Sequence, residues 1–315
     1  MRDEGIVRER IPRGAPVNRP MRYSQAPAAW LLMTPALAGL LLFLLLPFGL
    51  AVVLSFSNLR MGSPLPLEFV GLANYTLAFT DTGLTRALLN NLLFALVVVP
   101  VQTALGLALA LLLNRPLAGR AVFRTLFFLP VVFPLSLVAV VWVLIFAPGP
   151  DGLLNAALGL LTFGGWEPRD FLNDPFWALP AVMLTSIWQG VGFQMVVLLA
   201  GLQAIPRQLY EAAAVDGASR WRQFLHVTLP GLRNPLIFLV IVTTILSFRV
   251  FDQVRIMTRG GPQDASNTVI HEMVRTAFDQ GHVAMGAAMS VVFFLVILGI
   301  ALVQRRLLRQ RGEVS

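Results

Sequence analysis

Residues Glu211 to Pro230 read EAAAVDGASRWRQFLHVTLP and form a polar stretch between two long apolar runs. Pro206 stands where a helix can begin. Proline has no backbone N–H, and the first turn of a helix is the place where this loss costs nothing, because the N–H groups there have no partner within the helix. Gly217 is placed to end this helix, Ser219 to cap a second one, and Pro230 to stop it. The sequence therefore predicts two short amphipathic helices that meet at a glycine. Such a feature between apolar runs is typical of a surface that a soluble partner binds.

The composition indicates a membrane protein without enzymatic chemistry of its own. Of 315 residues, 57% are hydrophobic and 13% are charged, and the mean hydropathy is +0.74, which is typical of a polytopic membrane protein. The chain has no cysteine, which excludes disulfides and thiolate metal sites. All 24 basic residues are arginine, whereas a Walker A phosphate loop requires lysine. We therefore expect that the chain is not an enzyme and binds no cofactor. If ATP drives its function, we expect a partner subunit to bind that ATP.

Six apolar runs are each long enough to cross a hydrocarbon core of about 30 Å at about 1.5 Å per residue. The sequence thus predicts an all-α, polytopic membrane protein, with a disordered basic tail at 1–28, a transmembrane domain at 29–304 and a second tail at 305–315. The polar stretch occupies a loop at about 204–234. The predicted spans are Trp30 to Phe56, Leu88 to Leu113, Val122 to Phe146, Phe176 to Leu202, Leu236 to Met257, and Val283 to Val303.

The arginines indicate which side of the membrane each loop occupies. Seventeen of them lie in the N-terminal tail, after the second span, around the polar stretch and after the last span, and five lie in the opposite loops. Positively charged loops remain in the cytoplasm, so both termini and the Glu211 loop are predicted to be cytoplasmic. Because the arginines cluster beside apolar runs, their expected partner is anionic membrane lipid and not nucleic acid.

The polar stretch also resembles a known family. Glu211-Ala212-Ala213, then Gly217, then Val227-Thr228-Leu229-Pro230 is similar to the EAA loop of binding-protein-dependent ABC importer permeases, with Val227 in place of the usual isoleucine. The resemblance implies a MetI-like transmembrane fold whose loop docks into a cleft of a separate ATPase subunit, where the glutamate pairs with a basic residue. The coupling residues implied are Glu211, Ala212, Ala213, Asp216, Gly217, Leu229 and Pro230.

Two outer segments resemble the sugar-transporting branch of that family. Phe69 to Tyr75 reads FVGLANY, and Thr258 to Pro262 reads TRGGP, where Arg259 replaces the frequent glycine or asparagine. The resemblance implies a bacterial cytoplasmic membrane protein with several partners: a second, homologous permease subunit, two ATPase subunits that bind ATP, and an extracytoplasmic solute-binding protein that delivers a sugar.

Polar side chains within the predicted spans suggest where a solute passes, because they are costly in hydrocarbon unless they face a cavity or a partner. An aromatic platform beside amide and hydroxyl groups suits a sugar. In a helix, Gln189 and Phe193 share a face, as do Ser247, Val250, Phe251 and Val254. In the maltose-type permeases that the chain resembles, the sugar site comes from the fourth and fifth spans. The matching positions are Gln189, Gly190, Phe193, Ser247, Val250 and Phe251.

Val250 and Phe251 depart from the aromatic and amide residues of that family, which leaves open both the identity of the sugar and whether this subunit holds a site. The bland alternative is that the Gln and Ser side chains hold helices together, and that Arg249 and Asp252 pair with each other. His271 and Glu272 begin a zinc-protease pattern, HExxH, that ends in Arg275, so we expect no metal site.

Two alternatives to sugar import remain. A permease for sn-glycerol-3-phosphate would use Arg249 or Arg255 to pair with phosphate, although Asp252 lies beside them. An ion-gradient-driven transporter would require buried acids or an internal repeat. Asp252 is the one candidate acid within a predicted span, and no repeat is evident in the sequence.

Overall fold

The computed structural model describes residues 26–80 and 82–309, and their regular secondary structure is helical. The predicted tail at 1–28 lies outside the described residues up to residue 25. The chain divides into two compact units at Gly49; the first contributes most of α1 and the second contains the other helices. The helices are α1 (Ala26–Leu40, a π-helical turn at Leu41–Leu45, and Leu46–Leu54), α2 (Ala73–Thr80), α3 (Thr82–Leu113), α4 (Arg120–Val132), α5 (Leu135–Ile145), α6 (Leu153–Leu161), α7 (Ala178–Ala204), α8 (Arg207–Val215), α9 (Arg220–Gly231), α10 (Arg233–Phe248), α11 (Val269–Val274, then a π-helical turn at Arg275–Asp279) and α12 (Val283–Arg309).

The number of apolar spans agrees with the prediction when bent helices are counted. Among the described residues, α1, α3, α7 and α12 are each long and apolar enough to cross a membrane. Two further pairs of helices pass this test only when each pair is taken together, α4 with α5 bent by 102° and α9 with α10 bent by 65°, which gives up to six spans if each bent pair crosses once. The first bend lies at Phe133, whose backbone is extended at φ −79 and ψ 142, because the ring of Pro134 excludes helical geometry from the preceding residue.

The fifth span ends earlier than predicted. α10 stops at Phe248 and not at Met257, and a π-helical turn follows at Val254–Thr258. The expected helical face of Ser247, Val250 and Phe251 is therefore not formed. The break is possible because distant side chains replace helical donors, which a break at membrane depth requires. Asn91 Nδ2 donates to the carbonyl oxygen of Ser247 at 3.1 Å, and Thr268 Oγ1 donates to that of Val250 at 3.0 Å.

The opposite change occurs at the C-terminal end, where α12 continues through Arg309 into the segment predicted to be a tail. The centre of the second unit is the packing of α7 against α3 and α4. Two glycines permit this close approach. A side chain at Gly106 would overlap Gln194 of α7, and one at Gly192 would overlap the backbone of Phe127 in α4. These contacts hold α7 as the scaffold for the residues described below.

Candidate coupling loop and central cavity

The polar stretch folds as two helices joined at a glycine. α8 begins after Pro206, as predicted, and ends at Val215. Gly217 takes the left-handed conformation at φ +72, and Ala218 N donates to Ala213 O at 2.8 Å, which closes the helix end. Ser219 Oγ then accepts from Arg222 N at 3.4 Å and caps α9. The local sequence signals therefore determine this geometry.

Pro230 does not stop α9, contrary to the prediction. The helix passes through a π-helical turn at Phe224–Thr228 and continues to Gly231. The break follows at Leu232, at φ −89 and ψ 2. A π-helical turn shifts the hydrogen-bonding register, and Pro230 lies in the first turn after it, where its missing donor is tolerated. α9 is therefore joined to α10 by a single break.

The side chains expected to couple to a partner are largely exposed. Glu211 makes one ion pair, with Arg207 Nε at 3.8 Å, and the two side chains are 68% and 92% exposed. Such a pair contributes little to stability, so Glu211 is available to a partner. The exposed members of the set are Glu211, Ala212, Asp216, Gly217 and Pro230, and the half-buried members are Ala213 and Leu229.

The same loop carries apolar side chains that the described residues do not cover. Val215 is 88% exposed, Trp221 66% and Leu209 52%. Trp221 stacks on Phe224, with 5.4 Å between ring centroids. An exposed apolar surface rimmed by charged residues is typical of a protein-binding surface. The two helices thus present an acidic group and an apolar surface together.

A cavity of about 300 Å³ lies farther along the chain, where α3, α7 and α10 meet the break after Phe248. Its volume is in the range of small-molecule sites. Amide and hydroxyl side chains supply most of its polar surface, and one arginine and one aspartate also line it. The lining residues are Phe94, Val98, Gln102, Leu135, Ser186, Gln189, Gly190, Thr243, Leu246, Ser247, Arg249, Val250, Asp252 and Gln253.

Four of the six proposed substrate positions lie in this lining: Gln189, Gly190, Ser247 and Val250. The other two lie elsewhere. Phe193 packs in an apolar cluster with residues of α3, α7 and α10. The ring of Phe251 faces His271, with 6.4 Å between ring centroids. The structure thus separates the two aromatic rings from the polar groups that they were expected to accompany.

The predicted ion pair between Arg249 and Asp252 is not formed. Both side chains are exposed and line the cavity, and within the described part of the chain neither has an ion-pair partner. Arg255 pairs instead with Asp279, at 2.7 Å between Nη1 and Oδ2. The cavity therefore holds one charge of each sign.

Sequence reasoning missed four polar residues of the cavity: Gln102, Ser186, Thr243 and Gln253. Ser186 Oγ donates to Gln253 Oε1 at 2.8 Å, which links α7 to the segment after the break. The Gln102 amide lies against Gly190, so that a side chain there would overlap it. Gln102 is the one amide in the apolar stretch 92–113 of α3, and this pattern was the available signal. The position of Gln253 could not be found locally, because it depends on where α10 ends.

The profile of one protein family, binding-protein-dependent transport system inner membrane component, matches residues 102–311. The chain belongs to this family. The permease that the EAA stretch predicted is thereby confirmed. The sulfoquinovosyl glycerol transport system permease protein SmoG of Agrobacterium fabrum is 36% identical over 286 residues, which cover 90% of this chain and 91% of that protein. The trehalose/maltose transport system permease protein MalF of Thermococcus litoralis is 34% identical over 293 residues, with 93% and 97% covered.

The fold of the permease also matches a solved structure. A chain in the crystal structure of a bacterial alginate ABC transporter, in complex with its alginate pentasaccharide-bound periplasmic protein, gives a TM-score of 0.80 at 22% identity. The match covers 93% of this permease and 97% of that chain. At this identity the likeness shows a shared fold, which agrees with the MetI-like, all-α architecture expected from the sequence.

The segment of the permease between α10 and α12 is held by buried polar contacts. Asn267 Nδ2 donates to Glu272 Oε2 at 2.6 Å, and its Oδ1 lies 2.8 Å from His271 Nδ1. Arg275 pairs with both Glu272 and Asp264. Burial, with Arg255 and Arg275 nearby, lowers the pKa of His271 to about 4. His271 and Glu272 thus both have structural partners in this segment. No group of three metal-ligating side chains occurs among residues 26–80 and 82–309.

Proposed function

We propose that the chain is the permease subunit of an ATP-driven importer that carries a sugar or oligosaccharide, and that its α8–α9 loop couples it to a separate ATPase. The observation that carries the proposal is the exposed glutamate and apolar surface of that loop, joined through one break to a helix that lines the central cavity. Two ATPase subunits, a second homologous permease and an extracytoplasmic binding protein complete the transporter. Both termini and the loop lie in the cytoplasm, as the arginine distribution indicates.

The mechanism follows from the connection between the loop and the cavity. When ATP binding closes the two ATPases on each other, they draw the two permease loops together. Leu232 transmits this displacement from α9 to α10, and the C-terminal end of α10 carries Ser247 at the cavity. A helix displacement of this kind is sufficient to switch the side from which a cavity is open.

The cavity supports a polyhydroxylated solute. Gln102, Gln189 and Thr243 contribute amide and hydroxyl groups to its lining, and these groups match the hydroxyls of a sugar. Named relatives carry glycosyl and disaccharide solutes, which is consistent with this class. A phosphorylated polyol such as sn-glycerol-3-phosphate is the second candidate, because Arg249 lines the cavity and has no ion-pair partner among the described residues.

The proposal is tested by reversing the charge of Glu211. We expect Glu211→Lys to abolish ATP-driven uptake and co-purification of the ATPase, because the partner's basic residue then faces a like charge. The chain itself should remain folded, since the pair with Arg207 is exposed and such pairs are worth about 0–1 kcal/mol. Uptake into vesicles, ATPase retention and thermal unfolding in detergent measure the three effects.

Arg207→Gln is the matched control, because it removes the same ion pair and leaves the carboxylate in place. It should keep both uptake and ATPase binding. Normal uptake by Glu211→Lys, or an equal loss in both variants, would show that this carboxylate does not engage the ATPase.

A further inference from the structure

A second cavity lies between the end of α3 and the α8–α9 loop, separate from the central cavity. Its volume is about 650 Å³. We call it the basic cleft, because its charged side chains are two arginines. Its polar lining residues are Asn114, Arg115, Tyr210, Arg220, Gln223 and Thr228.

The charge of the basic cleft is unbalanced. Arg115 follows α3 and Arg220 begins α9, and no acidic side chain lines the cleft. Within the described residues neither arginine has an ion-pair partner. Two guanidinium groups that line one cleft attract an anion, and their planar fork of donors matches the oxygen atoms of phosphate.

Hydrogen-bonding groups and an apolar floor complete the cleft. The hydroxyl groups of Tyr210 and Thr228 are hydrogen-bonded at 3.0 Å and hold α8 and α9 together on one side of the cleft. Leu202, which is 5% exposed, and Phe224 form apolar parts of the lining. The cleft therefore offers a charged mouth beside an apolar surface at the end of the spans.

We propose that the basic cleft binds a phosphate-bearing anion, either the headgroup of an anionic lipid or a soluble phosphate compound. Glu211 and Val215 of the proposed ATPase-binding surface are not part of its lining, and the two sites adjoin where Phe224 stacks on Trp221. An anion held by Arg115 and Arg220 ties α9 to the end of α3. Its occupancy would then tune how readily α9 moves. That the cleft faces the cytoplasm rests on the proposed function, whereas the binding itself does not.

The experiment uses the full chain, purified without an ATPase, so that failure of coupling cannot be mistaken for failure of anion binding. The chain is placed in nanodiscs of phosphatidylcholine with a minor fraction of phosphatidylglycerol, and retained phosphatidylglycerol is counted by native mass spectrometry. A parallel arm measures inorganic phosphate binding by equilibrium dialysis. Wild-type chain should retain the anionic lipid or bind phosphate. Selective retention of lipid assigns the site to a headgroup, and selective binding in dialysis assigns it to a soluble phosphate.

Arg115→Gln and Arg220→Gln should each weaken binding by about fivefold, as expected for one basic residue near a charged surface. Arg222→Gln is the matched control, since Arg222 lies on the same helix outside the cleft lining, and it should leave binding unchanged. Gln223→Glu, which adds a negative charge to the cleft, should also weaken binding. The charge-preserving variants Arg115→Lys and Arg220→Lys should bind more tightly than the glutamine variants and less tightly than the wild type, because they keep the charge and lose the planar fork.

The proposal is overturned if the wild-type chain binds neither probe. It is equally overturned if the two glutamine variants bind as the wild type does, or if Arg222→Gln loses as much as they do, because surface charge alone would then explain the binding.

Discussion

Gly190 and Gly192 are two residues apart on α7, yet an added methyl group would meet a different kind of neighbour at each. At Gly190 it would meet the end of the flexible Gln102 side chain in the cavity. At Gly192 it would meet the backbone of Phe127, which cannot rotate away. The first glycine therefore shapes the cavity, and the second permits the packing of two helices.

Substitution by alanine should separate these two roles. We expect Gly190→Ala to raise the apparent KM for uptake by roughly tenfold, the effect of one misplaced methyl-sized group in a pocket, with little change in thermal stability. Gly192→Ala should lower the free energy of unfolding by about 1–3 kcal/mol, because it overpacks the α4–α7 contact. Uptake assays and thermal unfolding in detergent measure the two effects. The same loss of stability in both variants would refute the division.

At the scale of the element, the break after α10 depends on one buried amide. Asn91 Nδ2 donates to Ser247 O, and Asn91 Oδ1 accepts from Val269 N at 2.8 Å. The side chain therefore connects the end of α10 to the start of α11. Asn90, its neighbour on α3, donates to Asp264 and Asn267 and makes no such connection to α10.

Asn91→Ala should impair uptake more than Asn90→Ala does. Loss of the Asn91 amide leaves one buried donor and one buried acceptor without partners, at about 1–3 kcal/mol each, and it also releases the break that positions Ser247. Asn90→Ala removes only the hydrogen bonds to the carbonyl oxygens of Asp264 and Asn267. Thermal unfolding and uptake, measured for both variants, distinguish the two positions, and equal uptake in both would show that the bridge to α10 has no functional part.

The stability of the folded chain should depend on pH through His271, in the segment between α10 and α12. His271 lies in α11, outside the six spans, and its pKa is lowered to about 4 by burial and by Arg255 and Arg275, whereas an unfolded histidine has a pKa of about 6.5. Between these values the unfolded chain binds more protons, so stability is full above about pH 6.5 and falls as the pH falls toward 4.

Thermal unfolding of the purified chain across this range checks the sign. We expect the melting temperature of wild type to fall more steeply with decreasing pH than that of His271→Gln, which cannot titrate at this position. Parallel curves for the two proteins would assign the pH dependence to other groups.

Elements whose geometry depends on neighbouring residues could be predicted from the sequence, and those that depend on distant contacts could not. The α8–α9 loop was predictable because Pro206, Gly217 and Ser219 act on their own neighbours. The bend at Phe133 was also local, since Pro134 restricts the residue before it, although the apolar run concealed it. The end of α10 was not predictable, because the groups that replace its helical donors, Asn91 and Thr268, are distant in sequence. Because the cavity is lined by residues on both sides of this break, its lining could not be predicted fully either. Phe251 was predicted to lie in the cavity, and its ring instead faces His271.

At the scale of the whole molecule, two sites lie at the two ends of one continuous connection. The coupling loop ends at Gly231, and α10 runs from Arg233 to Phe248, a length of about 24 Å at about 1.5 Å per residue. In the proposed mechanism, this helix carries the displacement of the loop to the cavity. The proposed import mechanism requires that the α8–α9 loop faces the cytoplasm and that the segment between α6 and α7 faces the opposite side of the membrane.

The orientation can be measured directly, because the chain has no cysteine and any introduced thiol is unique. Ser219→Cys in the loop and Asn173→Cys between α6 and α7 are suitable, since both positions are exposed. A maleimide that cannot cross membranes should label Asn173→Cys in intact cells. It should label Ser219→Cys only after lysis, because the arginine-rich side remains in the cytoplasm. Labelling of Ser219→Cys in intact cells would place the coupling loop beyond the reach of any ATP-hydrolysing subunit and would refute the proposed mechanism.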